Sequence, residues 1–119
     1  MAPSEPQTDL SLTAEIKLYY DVLIPEAPVN SSAEELRRPL LIAVHGYGAH
    51  KRYMMREARL VAPADWVIAS VQGPHQHFRQ TDDGYRVGFG WLTDNRPEEY
   101  VSLHHQFLLD VIAKLAADG

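Results

Sequence analysis

The stretch LLIAVHGYGAHKR, Leu40 to Arg52, restricts the fold more than any other part of the chain. Five apolar residues in a row, Leu40 to Val44, break abruptly into His45, Gly46, Tyr47 and Gly48. An uninterrupted apolar run of strand length is the pattern of a parallel strand covered on both faces. In an open α/β sheet, ligands sit beyond the carboxyl ends of such strands, where a glycine-rich turn lets the backbone approach a ligand and aim N–H groups at it.

The flanking segments extend the pattern. SLTAEIKLYYDVLIP alternates, with Leu12, Ala14, Ile16, Leu18 and Tyr20 on one side, and reads as a half-buried strand. EAPVNSSAEELRRP is rich in turn formers and charge and reads as a loop with room for a short helical turn. Between His50 and Ala62, Met54, Ala58 and Val61 recur at helical spacing before Pro63 stops the helix. DWVIASVQG is a second buried strand, so strand, helix and strand form a right-handed parallel unit. Gly73 to Arg96 is long for a connection without structure of its own, and reads as a site wall. Tyr100, Val101, Leu103, Phe107, Leu108, Val111, Ile112 and Leu115 then form the apolar stripe of a closing helix, with Asn95 and Glu98 as a capping pair, Pro97 in the first turn and Asp110 facing Lys114.

Composition bounds the function. A chain of 119 residues holds one domain, read as a flexible N-terminus over 1–10 followed by the domain over 11–119. A net charge of -5 with scattered Lys and Arg argues against a nucleic-acid surface. The absence of cysteine excludes a disulfide framework, a thiolate zinc site and a Cys nucleophile, and fits a reducing compartment. The start MAPSEPQTDLSL has neither the basic nor the apolar region of a secretory signal, and no apolar run reaches membrane-spanning length. The expectation is a cytoplasmic protein without a membrane span.

What the turn could bind follows by comparing anions. A Walker loop needs Gly-Lys-Ser/Thr after four intervening residues, and GYGAHKRY does not supply it. A dinucleotide fingerprint needs a third glycine where Lys51 stands. The remaining anion is the oxyanion of an acyl-transfer intermediate.

LLIAVHGYGAH, VIASVQGPHQHF and GFGW leading into a long amphipathic helix together resemble the N-terminal half of an α/β-hydrolase of the phospholipase/carboxylesterase, dienelactone hydrolase-like group, over Leu10 to Gly119. The resemblance implies a mostly parallel sheet with helices on its faces, an α/β-hydrolase sandwich cut before the nucleophile strand. It implies that the Tyr47 backbone N–H is an oxyanion donor, that His45, Gly46 and Gly48 shape the turn, and that His75, Phe78 and Trp91 line the substrate pocket. It implies a carboxylic ester as substrate and no cofactor.

The serines are Ser4, Ser11, Ser31, Ser32, Ser70 and Ser102, and none stands in Gly-x-Ser-x-Gly, so the chain is expected to be inactive alone. His75 and His77 lack a third ligand, so no metal site is read; Ser102, His105 and Asp110 lie on one helix and cannot converge as a triad. The strand Leu40–Val44 is expected to present an unpaired edge, and the chain to self-associate through it or to pair with a separate C-terminal half. The alternative is a non-catalytic α/β module that binds a small ligand or a partner chain.

Overall fold

The computed structural model describes residues 4–26, 32 and 37–118. Its elements are β1 (Tyr20–Leu23), β2 (Leu40–Val44), α1 (Lys51–Val61), β3 (Val67–Val71), β4 (His75–Thr81), β5 (Gly84–Gly90) and α2 (Pro97–Asp118). The short helical turn expected between Glu26 and Pro39 falls mostly outside the described residues.

The unit β2–α1–β3 forms as its sequence predicts. Leu40 to Val44 pair in parallel with Val67 to Val71, in register one to one. His50 is the N-cap of α1, its Nδ1 accepting the Tyr53 N–H at 3.1 Å. β3 is central, in the order β1-β3-β2, and its other neighbour β1 runs antiparallel, with Tyr20 opposite Val71 and Leu23 opposite Ile68.

The period of two in the strands sorts side chains onto two faces. Ala69 and Val71 of β3, with Tyr20, Val22, Leu40 and Ile42, pack against Phe107, Val111, Leu108 and Leu115 of α2. Ile68 and Ala43, with Leu23 and Leu41, pack against Met54, Met55 and Ala58 of α1. Ser70 also faces α1: it is fully buried, and its hydroxyl donates to the Lys51 carbonyl at 2.7 Å. The small residues Ala69 and Ser70 thus let a helix approach each face of β3.

Two expectations are corrected. The mostly parallel sandwich is replaced by two small sheets, of whose three pairings among the described residues one is parallel and two are antiparallel. Gly73 to Arg96 is not an open loop, because β4 and β5 form an antiparallel hairpin closed between Thr81 and Gly84, with Gly84 at φ 106°. As expected, β2 is an edge strand among the described residues, with its two faces packed against α1 and α2 and Val44 48% exposed.

The N-terminal strand is also much shorter than its alternation suggests. Only Tyr20–Leu23 pairs, while Leu12 is 99% exposed and only Leu18 and Tyr20 of the alternating set reach the core. The Cα radius of gyration is 19.6 Å, against about 13 Å for a compact domain of roughly this length. Much apolar surface therefore stays in water. Among the described residues no helix is long and apolar enough to cross a membrane.

The inward face of α2 can be tested against its outward face. Phe107→Ala should cost about 3 kcal/mol or more, since it empties the contact with Ala69 and Val71. Leu109→Ala, at an exposed position of the same helix, should cost less than about 0.5 kcal/mol. Urea unfolding midpoints of the two variants measure the difference.

Candidate functional site

The turn after β2 is held from three directions, and His45 is the hub. Its side chain is almost fully buried. Nε2 accepts the Gly73 N–H at 3.0 Å, so the ring proton sits on Nδ1, which donates to the Gly46 carbonyl at 2.8 Å. The His45 carbonyl accepts the Trp91 indole N–H at 3.0 Å, and the two rings lie 5.2 Å apart. Every polar atom of the imidazole is used, so His45 is a positioning residue, with no nitrogen left for proton transfer.

The hairpin supplies the second hold. The Gly48 N–H donates to the Phe89 carbonyl at 2.9 Å, and the Phe89 N–H returns to the Ala49 carbonyl at 3.1 Å. Arg79 donates to the Gly48 carbonyl at 3.0 Å. Gly48 sits at φ 78°, and a Cβ there would lie 2.8 Å from Arg79 Cδ. Gly88 is required from the other side, since its Cβ would meet the Gly48 carbonyl oxygen at 2.6 Å. Two glycines thus let turn and hairpin meet backbone to backbone.

These bonds divide the amides of the turn. Gly48 N–H and Ala49 N–H are occupied, the latter by the Gly46 carbonyl at 3.1 Å. The Tyr47 N–H has no acceptor among the described residues. The Tyr47 side chain, 82% exposed, stacks on His77 with ring centroids 4.7 Å apart. Gly46 has open space where a Cβ would stand. The turn therefore presents the Tyr47 donor in a fixed backbone, with the Gly46 N–H also unbonded among the described residues, beside a rim of two aromatic rings.

An apolar groove of about 200 Å³ lies next to it, lined by Val44, Trp91, Leu92, Val101, His104, His105 and Leu108. It begins at the residues flanking His45, Val44 in sequence and Trp91 by ring contact. His104 is buried in its wall and bonds through Nε2 to the Trp91 carbonyl.

Of the residues the sequence points to, His45, Gly46, Tyr47, Gly48 and Trp91 come together. His75 stands one step away, its ring 4.2 Å from that of Tyr100. Phe78 does not join them: it faces the other side of the hairpin, 75% exposed, against Tyr85. Sequence reading weighs His77 only as a metal ligand and misses its place against Tyr47. The signal was available, since Asp82-Asp83-Gly84 marks a hairpin turn, and the period of two in the strand before it places His75, His77 and Arg79 on one face. No group of three or more potential metal ligands forms among the described residues.

Ser70 is sealed in the α1 interface and Ser102 lies on the exposed side of α2, so neither is placed as a nucleophile. His75 titrates below its ordinary value of 6.5, first because burial disfavours the imidazolium and second because His104 is close by. His50 is lowered as well, by burial and then by Arg52.

A histidine whose folded pKa is depressed stabilises the fold above 6.5, where both states are neutral, and that stability is lost as pH falls below 6.5 and the unfolded state takes up protons first. The thermal midpoint should therefore drop between pH about 7.5 and about 5.5. His75→Phe, which keeps a ring against Tyr100, should flatten part of that slope, and His50→Asn the rest. Thermal melts across this range measure both.

Comparison of the chain with protein-family models, with characterised proteins and with solved structures finds no match in any of the three.

Proposed function

We propose that the chain carries the oxyanion-binding part of a site for carboxylic esters, of the kind the resemblance to the phospholipase/carboxylesterase group implies, and that it supplies no nucleophile of its own. The observation that carries this reading is the Tyr47 N–H, left without an acceptor on a turn that five hydrogen bonds from neighbouring groups hold in place. A donor fixed before the reaction stabilises developing negative charge without reorganisation, which is the largest contribution in many acyl transfers. The neighbouring groove, with Trp91 and Leu108 among its walls, suits the hydrocarbon part of an ester.

The chemistry of each residue follows. Tyr47 donates its backbone N–H to the carbonyl oxygen as the carbon becomes tetrahedral. Gly46 leaves that approach open, Gly48 supplies the left-handed turn, and His45 and Trp91 keep it in place. A strand added at the free edge of β2, from a second copy or from a segment that brings a serine, would stand beside this donor. A reducing, cytoplasmic location suits a chain without cysteine. Binding of a small ligand without turnover is the second reading, favoured by the burial of Ser70.

A tetrahedral anion tests the proposal. Titrating the chain with octyl methylphosphonate should shift the Tyr47 amide resonance downfield, more than any amide of α1. Gly46→Val should weaken this binding about tenfold while leaving the thermal midpoint almost unchanged, because the Cβ has room. Gly48→Val should lower the midpoint itself. An unmoved Tyr47 amide would overturn the oxyanion assignment. Saturable hydrolysis of p-nitrophenyl butyrate by the chain would overturn the absence of a nucleophile.

A further inference from the structure

Away from the turn, α1 turns a second face toward solvent, and its charge is unlike the rest of the molecule. The chain carries a net charge of -5, yet α1 holds Lys51, Arg52, Arg56 and Arg59 against the single acid Glu57. Arg52, Arg56 and Arg59 follow at spacings of four and three, which aligns them along one side of the helix. Glu57 points round to another side.

This face lines a groove of about 670 Å³ formed by Asp21, Arg52, Met55, Arg56, Arg59 and Leu60. It shares no residue with the apolar groove beside Tyr47. Among the described residues Asp21, from β1, is its one carboxylate, and Lys51 occupies that carboxylate through both oxygens, at 3.0 and 3.1 Å. The sheet behind α1 contributes no other charge, since β2 is LLIAV and β3 is VIASV. Among the described residues none of the three arginines has an ion-pair partner. His50 at the start of the helix titrates below its ordinary value, first through burial and then through Arg52, with smaller contributions from His45, Lys51 and Arg56.

We propose that this groove is a binding site for an organic diphosphate, with the guanidiniums of Arg52, Arg56 and Arg59 on the phosphates and the apolar part against Met55 and Leu60. The three arginines span two helical turns, about 10 Å along the axis. That row is longer than a single phosphate needs and suits two linked ones, each taken by planar, forked donors. The apolar walls argue for a hydrocarbon ester over the bare anion, and the concavity for a soluble molecule over the flat surface of a bilayer.

Calorimetric titration with geranyl diphosphate, inorganic pyrophosphate and inorganic phosphate tests the proposal, alongside co-sedimentation with vesicles of phosphatidylcholine and phosphatidic acid. Geranyl diphosphate should bind most tightly, pyrophosphate less so, and phosphate least, with affinity falling as salt rises. Arg56→Gln, which keeps a good helix former at that position, should weaken geranyl diphosphate about tenfold, and the triple variant R52Q/R56Q/R59Q should abolish binding with an unchanged far-ultraviolet circular dichroism spectrum. Should the arginine variants unfold, Glu57→Gln decides: removing the one acid of α1 should tighten binding two- to threefold, roughly the worth of a screened surface charge, and an unchanged affinity overturns the site. Absence of binding, binding indifferent to the arginines, or capture by vesicles without binding of the soluble diphosphate would each overturn it as well.

Discussion

The imidazole of His45 is the joint on which the described structure depends. It closes the end of β2 through Gly46, receives the end of β3 through the Gly73 amide, and presents its own carbonyl to Trp91 at the exit of the hairpin. Three chain segments, widely separated in sequence, therefore meet within a single residue. A buried polar ring costs free energy unless each of its atoms is bonded, and here each is. Complete satisfaction gives the joint one geometry, because moving any of the three segments would leave a buried donor or acceptor unpaired.

The consequence for the site is division of labour among neighbours. Two amides of the turn are spent on the hairpin and on the turn itself, and this leaves Tyr47, after Gly46, as a free donor. Gly48 and Gly88 act as a pair, each allowing the other's backbone to come close. Gly46 has a different role, since a Cβ there would meet nothing and its value lies in the space it leaves. The three glycines look alike in sequence and differ only in what surrounds them.

Legibility in the sequence tracked how local the determining forces are. The β2–α1–β3 unit could be read because an apolar run, a helical period and a proline stop all lie within thirty or so residues of one another and agree. His45 to Gly48 could be located for the same reason, although the use of both ring nitrogens of His45 depends on Gly73 and could not. The N-terminal alternation from Leu12 to Tyr20 misled, since alternation describes a strand that has a partner, and only its last residues find one in β3. The hairpin was legible in Asp82-Asp83-Gly84 and the period of two before it, but glycines and charges there resemble a loop when counted instead of paired. The sense of β1 followed from no local signal, because strand direction is set by where the chain returns.

The small side chains of β3 set a limit on how this chain can diverge. Ala69 and Ser70 lie between two helices, one against each face of the strand. Enlarging either would push a helix outward, and α1 begins directly after the turn that carries Tyr47. A change of volume in the middle of the sheet would therefore be converted into a displacement at its rim, as a lever converts a small motion near its pivot into a larger one at its end. Variation that leaves the rim in place should accumulate in the hairpin tip and on the outer surfaces of the helices, while the strand at the centre stays narrow.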